Sequence, residues 1–513
     1  MGINFPSSPA NGQIFGHYVW DGQKWKLNPP SGGPGEGLAI SVKDPSFAGG
    51  AVGDGSHDDT AAIQAAFNFA FGQPNGHGIN NYLNLAVHFP PGNYVVKSPK
   101  VTTITALMGG NGSNVILMVA DITGIATGDL VYVSGVGGMS PGINECYAFF
   151  IDISGSNITL RESHWVNGTY SGGGEIKKPC LLIKNTQGGR IFGAGKIATT
   201  INSGTANTGT LAFDGWGYGS LEHISISAAA GGTACEMNWS YAGVSTQAGT
   251  IFNCTFGGGY HGFVLGRGGY MSSEFTFFHC HFGGTTKSGL LVANFNSLQH
   301  QIFGGQFQNC SKGIHVAAGS VPVIHGVGFQ GNEYDINVQN SVGDGMSIHS
   351  CRLEGNTPAS HTFAWLHAGI NAHIAGCTDS CDNDTNHFLF TESGGGPTPP
   401  SYATGVGNVC IDSCTSVNGD IIGNGRIFIR SNAGNKAFGN PDYLANFNGL
   451  VVENNRGPIT VAQLTAEFPP AAKFKGLRQF VTDANATAFM GNVAGGGANS
   501  VPVICDGTNW KIG

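Results

Sequence analysis

The chain has 513 residues and a formal net charge of −8, with 11% charged and 10% aromatic residues. A disordered chain would be richer in charge and poorer in aromatics, and an acidic chain without a basic cluster is not expected to bind nucleic acid. Glycine accounts for 84 residues without a collagen-like Gly-X-Y period, so the composition predicts a rigid β protein with many tight turns.

Signals for export and membrane insertion are also missing from the sequence. The chain begins Met-Gly-Ile-Asn-Phe-Pro, without the basic and apolar segments of a secretion signal. No stretch approaches the roughly 18 continuous apolar residues that a membrane-spanning helix needs. We therefore expect no membrane insertion, and release from the producing cell by lysis or another route without a signal peptide.

The N-terminal residues predict a small separate module. Residues 5–27 carry recurring apolar and aromatic residues on both sides of an Asp21-Gly22 turn, which is typical of short β-strands. Residues 28–35 are rich in proline and glycine and read as a linker. We predict an attachment module with its linker over residues 1–35 and the first part of the main fold over residues 36–100.

A short amphipathic helix is predicted near the start of the main fold. Asp58 or Asp59 is a natural N-cap, and apolar residues then recur at helical spacing. These apolar residues are Ile63, Ala66, Phe67, Ala70 and Phe71. Because the open end of a β-structure must be covered, we expect this helix to cap it.

Residues 101–176 predict an inserted small β-domain, because alternating strands with glycine turns replace the surrounding pattern. Short β-branched and aromatic segments return over residues 177–456, the predicted main body. Residues 457–513 predict a C-terminal β-module, which repeats at 506–512 the Asp-Gly-x-x-Trp-Lys-apolar pattern of residues 21–27.

The main body contains a repeat, most clearly over residues 301–381. Phe307 to Phe329 is a step of 22 residues, and Phe329 to Leu353 is a step of 24. A period in the twenties predicts a solenoid, and short segments broken by Gly and Asn favour strands over helices. We predict an all-β parallel β-helix of about nine to eleven coils, with strands about 4.8 Å apart.

The twelve cysteines are predicted to be buried thiols rather than disulfides. Cys254, Cys280 and Cys351 each precede an inward aromatic or leucine by two residues, so we expect them to point inward in one column. The Cys-x-x-x-Cys pairs at 377–381 and 410–414 lack histidine partners at ligand spacing, so neither a zinc site nor any other metal or cofactor is assigned.

One element resembles a known family. The sequence Gly-Ala-Val-Gly-Asp-Gly-x-x-Asp-Asp-Thr-Ala-Ala-Ile-Gln at 50–64, followed by Phe-Pro-Pro-Gly-Asn-Tyr at 89–94, resembles the start of right-handed β-helix proteins of the pectate-lyase superfamily. The family includes bacterial polysaccharidases and bacteriophage tailspikes, and the resemblance covers about residues 40–450. It implies a right-handed helix and a capping role, not a catalytic one, for Asp54, Asp58 and Asp59.

The resemblance implies a bacteriophage tailspike. Such a protein would be a homotrimer in the virion, attached to other tail or baseplate proteins through its N-terminal module. It would bind and depolymerise a host surface polysaccharide, with hydrolysis favoured over elimination. The alternatives are a non-catalytic tail fibre, which the scarcity of acids supports, and a secreted bacterial polysaccharidase.

The predicted catalytic residues are Glu354 with Asp379 or Glu333. A glycosidase needs two carboxyl groups about 5–5.5 Å or about 6.5–9.5 Å apart, one protonated and the other ionised, and stacked coils can supply such separations. The alternation of the repeat predicts one outward column of Gln308, Gln330, Glu354 and Thr378. Asp379 follows one position on, and Glu333 lies in a turn below.

The predicted substrate-binding residues are Arg352, Gln330, Gln308, Asp335, His279 and His281. Arg352 would bind a sugar carboxylate or hydroxyl, and Asp335 would line the same groove. The alternative is a surface ion pair between Arg352 and Glu354 beside ordinary turn residues.

Three further features allow weaker hypotheses. His279 and His281 alternate with inward residues, so both are expected to face outward from one strand as a sugar-binding, general-base or weak metal site, or simply as exposed histidines. His325, His349 and His373 predict a structural column. An acidic cluster could hold Ca²⁺ for an elimination reaction, or could simply form turns. It consists of Asp379, Asp382 and Asp384.

Overall fold

Parallel strands stacked along one axis form most of the structure, a computed structural model, and build the predicted right-handed parallel β-helix. The structure describes residues 9, 14–15, 18–20, 22–23, 25–27, 39–72, 85–140, 146–163, 165–238, 241, 245–267, 271–339, 345–354, 361–367, 370–379, 387–392, 408–412, 414, 420–423, 426–430, 451–453, 459–471, 475 and 478–513. The strands form three long parallel sheets, which we name A, B and C in chain order, and most coils contribute one strand to each.

Within the described residues, sheet A has thirteen strands and sheets B and C have ten each, in keeping with the predicted nine to eleven coils. Sheet A contains Ala39–Ser41, Ala86–Phe89, Arg190–Gly193, Ser220–Glu222, Thr250–Phe252, Thr276–Phe278, Gln301–Phe303, Val323–His325, Met346–His349, Ala372–Ala375, Asn408–Asp412, Arg426–Arg430 and Val451–Glu453. Sheet B contains Asp54–Asp58, Gly92–Val96, Thr199–Ser203, Ser225–Ser227, Thr255–Gly257, His281–Gly283, Gln306–Gln308, Gly328–Gln330, Arg352–Glu354 and Thr378–Asp379. Sheet C contains Leu181–Gln187, Gly209–Gly217, Thr233–Asn238, His261–Arg267, Ser288–Ala293, Lys312–Ala318, Tyr334–Val338, Thr362–His367, His387–Glu392 and Asp420–Gly423.

The interior is a ladder of stacked apolar side chains. In sheet B, Phe282 pairs with Phe307, Phe307 with Phe329, and Phe329 with Leu353. The rings of Phe282 and Phe307 stack with centroids 4.5 Å apart, and those of Phe307 and Phe329 with centroids 5.5 Å apart. All four side chains are buried. The inward column predicted from the repeat is confirmed.

The described cysteines are free thiols, and Cys254, Cys280 and Cys351 are buried as predicted. Burial raises the pKa of the Cys280 thiol to about 12 because a thiolate would lose its hydration there. Cys381, one half of a Cys-x-x-x-Cys pair, lies outside the described residues.

The corner between sheets A and B requires one left-handed residue in each coil. Asn253, His279, Gly304, Gly326 and Ser350 occupy this corner with φ between 50° and 66°. Asparagine and glycine adopt this conformation at the lowest cost. A Cβ at Gly304 would lie 2.7 Å from Nδ1 of His279 on the coil before, so close stacking also favours glycine there.

The predicted capping helix spans Thr60–Phe71 and buries its apolar face. Asp59 occupies the N-cap position but makes no side-chain bond to the helix. Its buried carboxylate instead accepts hydrogen bonds from the backbone N–H groups of Val52 (2.7 Å) and Gly53 (3.1 Å). The acidic residue therefore holds the preceding loop, which agrees with the structural role expected for it.

A six-stranded closed barrel interrupts the second coil. In order around the barrel its strands are Leu130–Ser134, Tyr147–Ser154, Asn157–Leu160, Ser113–Val119, Val101–Gly110 and Glu175–Lys177. A separate two-stranded sheet pairs Gly137–Ser140 with Asn167–Gly172. The barrel occupies the segment in which an insert was predicted, and the proposed domain boundaries stay predictions.

Buried charges join the barrel to the outer face of sheet C. Arg267 forms an ion pair with Glu236 at 3.2 Å, and both side chains are buried. The hydroxyl of Tyr132, from the barrel, donates to Glu236 at 3.0 Å, and the amide of Asn238 donates to its other oxygen at 3.2 Å. Because this carboxylate has lost its water, these partners replace its hydration.

Short antiparallel sheets lie near both ends of the chain. The first contains Ile14–Phe15, Tyr18–Trp20 and Trp25–Leu27, and the last contains Arg478–Ala484, Asn499–Cys505 and Trp510–Ile512. A second helix spans Val461–Glu467. Neither described helix is long and apolar enough to cross a membrane.

Replacing Phe307 with alanine should lower the free energy of unfolding by about 3–5 kcal/mol, because it removes a ring stacked between two others and leaves a cavity. Gln308→Ala is the matched control on the same strand, where we expect a change within about 0.5 kcal/mol. Guanidinium denaturation measures both, and equal losses would contradict the assignment of inward and outward columns.

Glu236→Gln should destabilise the protein by about 3–5 kcal/mol, because it leaves the buried Arg267 guanidinium without its counter-charge. Glu222→Gln is the control, since Glu222 pairs at 2.7 Å with Arg190, whose side chain is 49% exposed, and such a pair contributes about 0–1 kcal/mol. The midpoints of thermal unfolding test this, and a Glu236→Gln midpoint equal to that of Glu222→Gln would exclude the buried network as a determinant of stability.

Candidate functional site

Four of the residues predicted to form the groove, Gln308, Gln330, Arg352 and Glu354, lie on the outer face of sheet B. Gln308, Gln330 and Glu354 occupy one register line, as predicted. Arg352 Nη2 lies 2.7 Å from Glu354 Oε1, and the two side chains are 70% and 33% exposed. The structure therefore contains the surface ion pair named above as the alternative, and this pair occupies the carboxylate that was expected to act in catalysis.

The position predicted for Thr378 and Asp379 is wrong by two residues. Thr378 pairs with Arg352, and Asp379 pairs with Leu353, whose side chain is buried. The step from Arg352 to Thr378 is 26 residues rather than 24, which moves Thr378 out of the Glu354 column. The side chain of Asp379 lies outside the described residues.

Glu333 and Asp335 do not share a groove with Glu354. Asp335 is buried and accepts a hydrogen bond from Asn332 Nδ2 at 2.9 Å, while its other oxygen lies 2.9 Å from His361 Nε2. Its predicted role in lining an open groove is therefore wrong. Glu333 is partly exposed, precedes a strand of sheet C, and accepts from the Ser311 hydroxyl at 3.0 Å.

His279 and His281 do not lie on one strand as predicted. His279 is the exposed left-handed corner residue, whereas His281 begins the next strand of sheet B. Burial lowers the pKa of His281, and Lys196 adds to this effect. The corner turns the chain between them, so that the alternation on which the prediction depended does not hold there.

The histidine column is also shifted at its end. His325 pairs with His349, but His373 pairs with Ser347. The rings nevertheless remain neighbours, with centroids 6.4 Å apart for the first pair and 5.2 Å apart for His349 and His373. Burial lowers the pKa of His349, and the two neighbouring imidazoles add to this effect.

Asp382 and Asp384 of the acidic cluster lie outside the described residues. Within the described residues no group of three or more His, Cys, Asp or Glu side chains could hold a metal ion.

A polar cluster that the sequence analysis did not single out lies on the outer face of sheet C. It occupies two register lines that are three residues apart on each strand, and we name it the sheet C patch. The first line is His261, Ser288, Lys312 and Tyr334, and the second is His315, Asn337 and Trp365. Lys312 Nζ lies 3.4 Å from His315 Nε2, which joins the two lines.

Three buried polar side chains of the patch have atoms without a hydrogen-bond partner among the described residues. They are His261 at Nδ1, Ser288 at Oγ, and Asn337 at both amide atoms. A buried polar group left unpaired costs about 1–3 kcal/mol, and such groups are rare in folded proteins. Because several of them lie on adjacent coils, the patch is a candidate binding site.

The patch holds neutral imidazoles beside an ammonium. Burial lowers the pKa of His315 to about 4, and Lys312 adds to this effect. Burial likewise lowers the pKa of His261, with Arg267 and Lys287 contributing. The pKa of Lys312 is lowered by burial, an effect that the negative charge of Glu333 opposes. Since an ammonium only donates, Nε2 of His315 is the acceptor in the contact with Lys312.

Aromatic side chains flank the patch at both ends. The rings of Tyr334 and Trp365 lie 5.3 Å apart, and both side chains are partly exposed. At the other end Lys287 Nζ lies 4.7 Å above the ring of Tyr260, next to His261. The arrangement combines a proton acceptor, positive charge and flat apolar surfaces, the combination that orients ligands in binding sites.

A signal for the patch was present in the repeat. Lys312 and His315 stand in the stretch Lys-Gly-Ile-His-Val, and Tyr334 and Asn337 occupy the corresponding positions one coil later. In a chain with 11% charged residues, a lysine and a histidine in an apolar strand indicate a special environment. The repeat was used to predict the column of sheet B, whereas the corresponding column of sheet C was not predicted.

Solved structures with similar coordinates include an epimerase and two tailspikes. The A-module of a mannuronan C-5 epimerase from Azotobacter vinelandii is 14% identical, with a TM-score of 0.34 over 81% of this chain and 100% of that chain. A tailspike of Pseudomonas phage LKA1 is 13% identical, with a TM-score of 0.31 over 92% and 97%. A tailspike of Acinetobacter baumannii bacteriophage AP22, in complex with a capsular saccharide, is 11% identical, with a TM-score of 0.27 over 79% and 73%. At these values the similarity carries no conclusion about function.

The sequence itself matches a family model. No curated protein matches the chain. The model described as rhamnogalacturonase A/epimerase, pectate lyase-like, matches residues 40–315, more than half of the 513 residues. This range contains the capping helix, the barrel and the coils up to His315 of the patch. The chain therefore belongs to the rhamnogalacturonase A/epimerase family of pectate lyase-like proteins.

Proposed function

We propose that this chain binds and depolymerises a polysaccharide at the sheet C patch. The observation that carries the proposal is the group of buried, unpartnered polar atoms beside the Lys312–His315 pair, counted within the described residues. Coils stacked about 4.8 Å apart present this face repeatedly along the axis, which suits a linear polymer. Tyr334 and Trp365 supply apolar surface for sugar rings at one end.

In this proposal His315 is the proton acceptor. Its imidazole is neutral at neutral pH because its pKa is about 4. It would accept a proton from water as the water attacks the anomeric carbon in a hydrolysis, or from a sugar carbon in an elimination. In either reaction the glycosidic C–O bond breaks and the departing oxygen takes a proton from solvent. The sequence favoured hydrolysis by a pair of carboxyl groups. Among the described acids near the patch, Asp335 is buried beside His361 and Glu236 is buried beside Arg267. Glu333 remains as the partly exposed carboxylate at the edge of the patch.

We further propose that the chain acts as a bacteriophage tailspike on a host surface polysaccharide. The motif at 50–64 and the Asp-Gly-x-x-Trp turns at both ends support this proposal. In both terminal sheets the tryptophan begins the strand after the turn. A tailspike of this kind would be a homotrimer in the virion, attached to other tail or baseplate proteins through residues 1–35.

Purified capsule, lipopolysaccharide and exopolysaccharide from candidate hosts test the activity. Depolymerisation predicts new reducing ends, and elimination adds the ultraviolet absorbance of an unsaturated sugar. Binding to any of them without products would favour the non-catalytic tail fibre. The absence of both binding and products would overturn the proposal.

Replacing His315 with glutamine should lower the rate of depolymerisation by about 10²–10⁴-fold, the usual contribution of a general base. His57→Gln, in the first strand of sheet B, is the control, since its side chain is 55% exposed and far along the chain from the patch. Initial rates with equal amounts of folded protein measure the effect, and equal rates for the two variants would exclude His315 as the acceptor.

The pH dependence should follow the pKa of His315. The neutral imidazole is the active form, so activity is present above this pKa and falls as the pH drops through about 4. Lys312→Gln removes a positive charge from beside the imidazole, so the acidic limb should move to higher pH. Measurements of rate against pH for the unaltered protein and for Lys312→Gln test this. If activity falls at the same pH in both, the expected effect of Lys312 on the pKa of His315 is contradicted.

The tailspike proposal predicts a trimer. Light scattering on the purified full chain should give three times the chain mass of 53.0 kDa. A monomer mass would contradict the trimer and leave the activity to be judged by the preceding assays.

A further inference from the structure

The exposed apolar side chains of the coils gather around sheet A. In the described part of residues 177–456, the large apolar side chains that are exposed are Ile197, Tyr218, Phe252, Phe295 and Val323. Phe252 and Val323 lie on strands of sheet A, and the other three lie in loops that enter or leave such strands. None of these five lies on a strand of sheet B or sheet C, so apolar exposure is concentrated on one side of the coils.

An aromatic column runs along the outer face of sheet A. Its members pair in register from coil to coil, and they are Phe252, Phe278, Phe303, His325 and His349. The rings of Phe278 and Phe303 stack with centroids 5.4 Å apart, and those of Phe303 and His325 lie 6.3 Å apart. Each side chain of the column is half-buried or exposed. A contiguous exposed apolar surface of this kind marks an interaction site.

Charge is absent from the middle of this face. Six consecutive strands of sheet A, from Thr250–Phe252 to Ala372–Ala375, contain no Asp, Glu, Lys or Arg. Charged residues return on the neighbouring strands, with Glu222 before this stretch and Asp412 after it. In the same coils the strands of sheets B and C do carry charged residues. A centre depleted of charge and enriched in aromatics is the pattern of a protein–protein interface.

The absence of charge favours a second copy of this chain as the partner. Copies related by rotation about an axis parallel to the coils carry equivalent coils at the same height. A side chain beside that axis therefore meets the same side chain of the next copy, and a charge there would be repelled by its equivalent. Aromatic rings can pack against their equivalents without this repulsion, and they bury a large apolar area.

The face is large enough for a stable contact. The eight strands from Arg190–Gly193 to Ala372–Ala375, spaced about 4.8 Å apart, give a length of about 34 Å. Five residues across each coil, at about 3.3 Å each, give a width of about 17 Å. The resulting area of roughly 600 Å² per copy reaches the lower limit for standard interfaces, about 600 Å² per partner. The exposed side chains of Ile197, Tyr218 and Phe295 in the flanking loops add to it.

We propose that copies of this chain associate through the outer face of sheet A, with the aromatic column beside the axis of the trimer. This inference rests on the trimer of the proposed function and names the face that forms it. Part of the outer face of sheet C is unavailable for such a contact, because Tyr132 and Phe150 of the barrel pack there against Ala212. Association through sheet A leaves the sheet C patch open to a saccharide.

Phe303→Glu and Val323→Glu test the inference, because each places a carboxylate in the charge-free stretch on a different coil. Val323 is 40% exposed, so its replacement removes little packing within one chain. In light scattering on the full chain, the mass should fall from three times 53.0 kDa to 53.0 kDa. Gln308→Glu is the matched control, since it adds the same charge to the coil of Phe303 on the outer face of sheet B, and it should remain a trimer.

A second measurement needs no substitution. Because the proposed contact lacks charged pairs, the unaltered trimer should persist in about 1 M NaCl, where the screening length is about 3 Å. Dissociation in salt would overturn the inference, since it would assign the contact to charged residues elsewhere. Circular dichroism and thermal unfolding verify that the three variants keep the β-helix.

The other outcomes separate this inference from the proposed function. The inference is overturned, and the trimer sustained, if both sheet A variants remain trimers. It is also overturned if Gln308→Glu dissociates as they do, or if a sheet A variant remains a trimer but loses polysaccharide binding, which would assign the face to the saccharide. A monomeric unaltered chain would overturn the inference together with the trimer, while the depolymerisation assays would still decide the activity.

Discussion

The parallel register between successive coils is the constraint on which the rest of the structure depends. Each strand pairs with the equivalent strand one coil away, so a side chain has its neighbours fixed about 4.8 Å above and below. A buried column such as Phe282, Phe307 and Phe329 can therefore form only if every coil keeps the same corners. The left-handed residues at the corner between sheets A and B, from Asn253 to Ser350, maintain this geometry.

The same constraint decides where chemistry can be placed. The inward faces are filled by apolar side chains and thiols, so functional groups are restricted to the outer faces and the corners. The outer face of sheet B carries uncharged polar residues and the exposed Arg352–Glu354 pair. On sheet C the barrel and the neighbouring side chains partly bury the outer face. Burial there changes pKa values and leaves polar atoms without a partner in the part of the chain that the structure describes. Lower exposure rather than a larger number of charges distinguishes the two faces.

Much of the fold follows from patterns in the sequence, because it depends on local spacing. The helix at Thr60–Phe71 and the inward ladder were predicted from periodicity, and the short strands Tyr18–Trp20 and Trp25–Leu27 from recurring apolar and aromatic residues. Periodicity failed where a loop changed the length of a coil, as between Arg352 and Thr378, because one step of 26 residues shifts every later column. It also could not give the burial of Asp335, which depends on its contact with His361 from the following coil.

The candidate site was harder to predict than the fold because its properties arise between coils. Lys312 and His315 are neighbours on one strand, but Asn337 is buried against residues from the coils on either side, and Trp365 approaches Tyr334 from the next coil. A carboxylate is recognisable in a sequence, whereas a histidine with a pKa of about 4 is recognisable only once its surroundings are known.

The central claim is that the saccharide lies on sheet C. The most direct measurement is a crystal structure of the full chain with an oligosaccharide from a host polysaccharide that it binds. The account predicts saccharide density over the patch, with an oxygen within hydrogen-bonding distance of Lys312 Nζ. Density confined to the outer face of sheet B beside Arg352 and Glu354, with the patch empty, would contradict it.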